Sequence, residues 1–400
     1  MKSNVRYGIL ALVTTAQAGA SFVQQGIGSL GPFLTAEFDL NRAQLGLVFG
    51  ILMGGAALTT ALSGIAVDAF GERRMILVSG LVMGTAIISA TLVHSYYWLL
   101  ACMLLAGVGY AASTPAGGRA ILLWFTRDRG VAMGIRQMGV PVGGFGGALL
   151  LPLLANAGGY RLALAVGGVF AIVPAIVAAV WYRVPEGGDP APRRLAVLLR
   201  SMWEVARDPR LIFVTVTCSM LVCGQSNMLT FLVLTFVRDA HIGVAIAGAA
   251  LATSQIGATA GRLAWGFISD RWFNGDRIVP LMCSSALAAA SAVAVPLVPQ
   301  HSIAVAFVVA LILGMSASGW NGLFSAATVE IGGPERAGSA LGVGLTGIFT
   351  MGLVSPPLFG ALADAHGFHV AWYALAAFLA CGLIPAALAK RAIALAPVAA

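Results

Sequence analysis

Gly64-Ile-Ala-Val-Asp68-Ala-Phe-Gly71-Glu-Arg73-Arg74 is the stretch that decides the fold, because a related stretch recurs in the second half of the chain. The second copy reads Gly266-Phe-Ile-Ser-Asp270-Arg271, and an offset of 202 residues places Asp68 on Asp270. A second pair, Arg129 to Gly134 and Arg336 to Gly342, recurs at a slightly longer offset. The sequence therefore predicts two copies of one structural unit in the same orientation.

The composition around this repeat is that of a protein dissolved in lipid. Only 10% of the 400 residues are charged and 59% are hydrophobic, and the mean hydropathy is +0.91. A soluble domain carries about 25% charged residues. The 50 glycines fit this environment, because small residues let membrane helices pack closely.

Apolar runs of about 20 residues, the length needed to cross a bilayer, recur along the whole chain. We predict an all-α integral membrane protein with twelve transmembrane helices in two pseudo-symmetric six-helix bundles. The predicted spans are 7–33, 43–66, 75–93, 98–125, 131–155, 161–182, 211–237, 244–268, 278–298, 303–328, 338–362 and 369–389.

The net charge of +8 is a signal of topology rather than of nucleic-acid binding. With the N-terminus inside, seventeen Lys and Arg residues fall in cytoplasmic segments, and only Arg42, Arg161 and Arg238 fall in outer loops. The positive-inside rule then places both termini in the cytoplasm of a bacterial-type inner membrane.

The apolar pattern breaks once for a long stretch, at residues 183–210. Pro185, Gly187, Gly188, Pro190 and Pro192 lie there beside several arginines. We predict a cytoplasmic linker at 183–210 between an N-terminal bundle (1–182) and a C-terminal bundle (211–400).

Metal or disulfide chemistry is not indicated by the sequence. The five cysteines all lie in apolar spans and lack metal-ligand spacing, so we expect neither disulfides, a metal site nor a cofactor. Catalytic constellations and nucleotide motifs are also missing from the sequence, so an enzyme is not expected.

The Gly64 to Arg74 segment resembles the loop motif of the major facilitator superfamily, and Gly266 to Arg271 resembles its weaker second-half copy. The resemblance extends to span number, loop length and repeat order. It implies two bundles around a central cavity that opens alternately to either side. It also implies a cytoplasmic conformational latch, formed by Gly64, Asp68, Gly71, Arg73, Arg74, Gly266, Asp270 and Arg271. The alternative is that Arg73 and Arg74 serve topology only.

Three arginines, Arg119, Arg136 and Arg262, lie inside predicted spans. A buried arginine costs about 2.5–3.5 kcal/mol on insertion scales, so each needs a partner. All fifteen Asp and Glu residues fall in loops or near helix ends, with Glu330 as the deepest candidate. The three cations would then converge on a cavity that an anionic substrate neutralises. Snorkelling to headgroups or bonding to backbone carbonyls is the alternative.

The segment Gly261-Arg262-Leu-Ala-Trp-Gly266 resembles the eighth-helix arginine segment of oxalate/formate and monocarboxylate transporters. That resemblance implies that Arg262 binds a substrate carboxylate. In the fifth span, Gly139-Val-Pro141-Val-Gly143-Gly144 loosely resembles the glycine-proline motif of antiporters.

Neutral polar and aromatic residues in mid-span complete the candidate substrate site. On the first helix, Gln17, Ser21 and Gln24 share one face. The remaining candidates are Gln25, Tyr110, Gln225, Asn227, Gln255, Trp320 and Asn321. Interhelical hydrogen bonding, or packing for the two aromatic residues, is the alternative for each.

Together these features predict a secondary transporter, acting as a monomer, that moves a mono- or dicarboxylate across the membrane by alternating access. A symporter is one form of this prediction, and the coupling proton or ion is left open. An exporter of amphipathic drugs of the same superfamily is the second interpretation.

Overall fold

The computed structural model describes the backbone of residues 2–92, 94–125, 128–184 and 195–395. Within these ranges the side chains of residues 2–4, 61, 68, 130, 195–199, 201, 334, 335 and 337 are not described. The side chain of Asp68 and residues 185–194 of the predicted linker therefore lie outside the described part.

All regular structure in the described residues is helical. The N-terminal half contains α1 (Lys2–Gly26), α2 (Gly31–Phe38), α3 (Arg42–Phe70), α4 (Glu72–Ser89), α5 (Tyr96–Ala111), α6 (Ser113–Trp124) and α7 (Arg129–Trp181). The C-terminal half contains α8 (Leu195–Ala206), α9 (Pro209–Arg238), α10 (Val244–Trp272), α11 (Ile278–Ala294), α12 (Ile303–Ala317), α13 (Asn321–Cys381) and α14 (Leu383–Ala394). The all-α prediction is confirmed.

Nine segments of the described residues are long and apolar enough to cross a membrane. Two of them, Val131–Trp181 and Gly338–Ala394, contain 51 and 57 residues. At about 1.5 Å per residue such helices would exceed 75 Å, more than twice the bilayer core. α7 has non-helical backbone at Gly158 and Gly159, and α13 has it at Gly333 and Gly367. The first of these breaks lies between the predicted fifth and sixth spans.

α1 is not among the nine segments because three glutamines reduce its hydropathy. It is nonetheless buried along much of its length, with Gln17, Ser21 and Gln25 among its buried residues. This helix packs along α7, so its polar residues face protein rather than lipid.

The turn between α3 and α4 requires a glycine. Gly71 has φ +79°, a conformation that a residue with a Cβ adopts only with strain. It lets α4 begin directly after α3, with Glu72 in its first turn. The opposite end of α3 is fixed by a capping box between Asn41 and Gln44.

The halves pack closely at the end of the bundle remote from Gly64–Arg74, which we call the far end. A Cβ placed on Gly46 or Gly50 of α3 would overlap the carbonyl oxygens of Pro356 or Leu353 on α13. Small residues here allow backbones to touch. At the opposite end, the motif end, a Cβ on Gly64 or Gly266 would meet nothing within 4 Å.

A carboxylate also joins the halves at the far end. The two oxygens of Asp364 each accept a backbone N–H of α3, from Arg42 and Ala43, at 3.0 Å. The guanidinium of Arg42 in turn donates to the carbonyl of Ala363 and lies over the ring of Phe368. Asp364 thus places a negative charge at the positive end of the α3 dipole.

Candidate functional site

Arg136 of α7 is fully enclosed by protein, with 1% of its surface exposed. Its Nη2 donates to Gln17 Oε1 at 2.7 Å and to the carbonyl of Ser113 at 3.0 Å. Its Nη1 donates to Gln137 Oε1 at 3.3 Å. A Cβ on Gly117 would lie 2.5 Å from its Nε, so the backbone of α6 covers that atom. Protein groups therefore occupy every side of this guanidinium.

Arg262 of α10 reaches the same place from the other half of the protein. Its Nη1 donates to the backbone carbonyl of Gln137 at 2.8 Å. Tyr110 lies close enough to both Arg136 and Arg262 to interact with their charges, and its hydroxyl faces Ser21. Arg262 is half-buried, and no hydrogen bond to its Nη2 is found within the described ranges. It is the more available of the two cations.

We call Gln17, Tyr110, Ser113, Arg136, Gln137 and Arg262 the arginine cluster. No carboxylate of the described residues forms an ion pair with Arg136 or Arg262. Among the described residues, the contacts of these two positive charges are therefore with neutral dipoles. An anion entering it would supply the missing counter-charge.

Arg119 does not belong to this cluster. Its Nε lies 3.3 Å from Glu72 Oε2, and its Nη1 donates to the carbonyl of Val67 at 2.7 Å. Tyr182 donates its hydroxyl to Glu72 Oε1 at 2.8 Å. The prediction that all three arginines lack an acid is thus wrong for Arg119. Glu72, rather than Glu330, is the buried carboxylate of the described residues, with 2% of its surface exposed.

Three glutamines form a second polar layer between the halves. Gln25 donates to Gln24 Oε1 at 2.7 Å, and Gln24 contacts the sulfur of Met53. A Cβ on Gly144 would lie 2.7 Å from Gln25 Cβ and 2.9 Å from Gln255 Cδ. Gln255 is 2% exposed, and its Nε2 has no hydrogen-bond partner among the described residues. This layer brings together predicted residues of two helices, α1 and α10, against α7.

The predicted residues of α9 and of the tenth span lie apart from the arginine cluster in their hydrogen bonds. Asn227 Nδ2 donates to Ser355 Oγ at 2.7 Å and to the Cys223 carbonyl at 2.9 Å. Trp320 is buried and donates to the carbonyl of Ala317, and Asn321 donates to that of Ser318. Gln225 is buried on α9. A substrate role for Gln225, Asn227, Trp320 and Asn321 stays a prediction.

The described latch residues contact their own halves. Arg73 donates to the carbonyl of Ala179 at 2.6 Å, near the end of α7. Asp270 pairs with Arg277, which also bonds to Glu330 at 3.0 Å. Burial alone would lower the pKa of Arg277, but these two carboxylates raise it above its usual value. Arg74 and Arg271 are exposed. A latch between the halves stays a prediction.

Two residues of the cluster, Gln137 and Ser113, were not candidates at the start. Gln137 had a signal in the sequence, because Pro141 follows it by four residues and leaves its carbonyl without a helical donor. Ser113 accepts from Arg136 through its carbonyl and donates its hydroxyl to Gln17 Oε1 at 3.0 Å, and no local pattern in the sequence marks it.

The family model described as Major Facilitator Superfamily matches residues 13–355. The chain belongs to the major facilitator superfamily. It is therefore a multi-pass integral membrane protein of a transporter family. A solved structure of a bacterial homologue of the human lysosomal transporter Spinster, in an inward-facing, unoccupied conformation, shares this fold. Its TM-score is 0.78 at 18% identity, covering 98% of this chain and 99% of that one.

Among curated relatives, an uncharacterized MFS-type transporter of Mycobacterium tuberculosis is 28% identical over 384 residues, 96% of this chain and 83% of the relative. A probable sulfoacetate transporter of Cupriavidus necator is 27% identical over 42% of this chain and 39% of its own. The fujikurins efflux protein of Gibberella fujikuroi is 23% identical over 75% of this chain and 63% of its own. The names of the last two relatives point to chemically different solutes.

Proposed function

We propose that this superfamily member transports a small organic anion, a mono- or dicarboxylate, and that Arg262 is its principal ligand. The observation that carries the proposal is the arginine cluster. It holds two guanidinium groups, from opposite halves, without a paired carboxylate among the described residues. A carboxylate bound between the halves would neutralise this charge, and a lipophilic cation would be repelled by it.

The roles of the two arginines differ in this proposal. Arg136 is 1% exposed and donates to Gln17, Ser113 and Gln137, so it fixes the cluster and supplies charge. Arg262 is less buried and keeps free donors, so it contacts the substrate. The second polar layer, Gln24, Gln25 and Gln255, would complete the site. There the amide nitrogen of Gln255, which has no partner among the described residues, offers a donor.

The proposal includes the full topology. Each of the two longest apolar segments would cross the membrane twice, turning at Gly158–Gly159 and at Gly367. With α1 this yields twelve spans in two bundles, 1–182 and 211–400, with both termini in the cytoplasm of a bacterial inner membrane. The tight far end and the looser motif end support an inward-open state of an alternating-access cycle.

An exporter of amphipathic compounds is the second candidate, favoured by the similarity to the fujikurins efflux protein over three quarters of this chain. The two candidates differ in the charge that the site accepts. The anion candidate needs the cationic cluster, whereas an exporter of cations would need a buried acid near it.

A thermal-shift panel on purified protein separates the candidates, because only ligands of the folded state raise the unfolding midpoint. Carboxylates should raise it in the wild type, and lipophilic cations should not. Removing one partner of a buried charge pair costs about 2–5 kcal/mol, so Arg262→Ala should weaken carboxylate binding by a factor of roughly 30 or more. Arg238→Ala removes an exposed charge and is the control. A shift that persists in Arg262→Ala would refute the assignment.

A further inference from the structure

Prolines inside α7 leave three of its carbonyls without their usual donors. A proline has no N–H, so the carbonyl four residues before it loses its helical hydrogen bond. α7 contains Pro141, Pro152 and Pro174. The carbonyls affected belong to Gln137, Ala148 and Phe170. Inside a membrane each of them needs another partner.

Two of these carbonyls are covered by a glycine of a neighbouring helix. A Cβ placed on Gly248 of α10 would lie 2.9 Å from the oxygen of Ala148, and one on Gly19 of α1 would overlap that of Phe170. Such close backbone contact permits only weak Cα–H···O interactions. These two sites are uncharged and show how a neighbouring helix covers the other two exposed carbonyls of α7.

The third carbonyl is covered by a charge from the other half of the protein. Arg262 Nη1 donates to the oxygen of Gln137 at 2.8 Å. The Nε of Arg262 is buried, and no described residue accepts from it. A carboxylate binds a guanidinium through two parallel N–H groups. Because Nε is buried, a carboxylate that binds in this way uses Nη1 and Nη2, so the carbonyl competes with the anion for Nη1.

We propose that the Gln137 carbonyl, exposed by Pro141, is the resting partner of Arg262, and that a bound anion takes its place. This rests on the proposed function. The contact joins α7 of one half to α10 of the other, so exchange of the carbonyl for the anion releases one bond between the halves when substrate arrives. Pro141 is then a positioning residue for transport, because it creates the carbonyl that holds Arg262.

A double-mutant cycle without any ligand tests the resting contact. Pro141→Ala restores the amide that satisfies Gln137, so Arg262→Ala should lower the unfolding midpoint much less in that background than in the wild type. Pro152→Ala is the matched control, since it restores an amide in the same helix opposite Gly248. Its effect and that of Arg262→Ala should add. If Arg262→Ala lowers the unfolding midpoint as much in the Pro141→Ala background as in the Pro152→Ala background, the proposal is overturned. Pro141→Ser restores the same amide and replaces Pro141→Ala if that variant does not fold.

Equilibrium binding of a carboxylate that the panel has identified tests the exchange. Pro141→Ala should bind it about tenfold more tightly, because the competing carbonyl now has an internal donor. Pro152→Ala should bind it as the wild type does. Unchanged affinity in Pro141→Ala, with binding still abolished by Arg262→Ala, would overturn the exchange and leave the proposed function standing. If no carboxylate binds the wild type, the proposed function fails, and the exchange fails with it.

Discussion

Replacing Arg119 by methionine should destabilise the protein without weakening its affinity for an anion. The guanidinium lies 3.3 Å from Glu72, and the two side chains are 12% and 3% exposed. Removing one partner of a buried pair costs about 3–5 kcal/mol, because the other charge stays buried without compensation. The bond from Arg119 to the Val67 carbonyl is lost as well.

The double variant Arg119→Met with Glu72→Gln should regain most of this loss. The amide that replaces the Glu72 carboxylate would remain within reach of the Tyr182 hydroxyl, and the Glu72 charge would no longer be left buried. Unfolding in mixed micelles, followed by tryptophan fluorescence, reports the free energy of unfolding for both variants. The thermal-shift panel then reports carboxylate binding in the folded fraction. A stable Arg119→Met variant that no longer binds carboxylate would refute the separation of Arg119 from the arginine cluster.

Two further predictions concern Gly117, which lies against Arg136, and Asp364, which accepts from the first residues of α3. Gly117→Ala would place a Cβ 2.5 Å from Arg136 Nε, so it should displace that guanidinium and cost about 1–3 kcal/mol of unfolding free energy. In the control, Gly118→Ala, the added Cβ meets only Met133, at 3.9 Å, so the unfolding free energy should not change. Equal effects of the two variants in unfolding experiments would contradict the tight contact. Asp364→Ala removes the negative charge at the start of α3, and its interaction with the helix dipole is worth about 0.3–2 kcal/mol. Distances between spin labels placed across the far end should then show a larger population of the open state. An unchanged distance distribution would contradict the role of Asp364 in closing the far end.

The helices could be predicted from sequence because lipid imposes a single length rule on every span. The residues between predicted spans five and six enclose the break at Gly158–Gly159. The same rule of length identified α1, because residues 7–33 form an uncharged run long enough to cross the bilayer despite its glutamines. The rotation of each helix is a different matter, since length and hydropathy do not determine which side chains face inward.

That rotation decided the outcome for the arginines. Arg136 and Arg262 meet at Gln137, whereas Arg119 turns toward Glu72. In the sequence Glu72 stands beside two arginines in a polar turn and resembles a loop residue. Gly71 places it in the first turn of α4, where it is buried. The pairing depends on tertiary packing that a single sequence does not encode in any local pattern.

Tracer uptake into proteoliposomes is the most direct test of the central claim, that Arg262 carries the anion. With a labelled carboxylate outside and the same unlabelled carboxylate inside, exchange by the wild type and by Arg238→Ala should proceed at similar rates. Arg262→Ala, reconstituted at the same density and folded at the assay temperature, should show exchange at the level of empty vesicles. Exchange by Arg262→Ala at the wild-type rate would contradict the account.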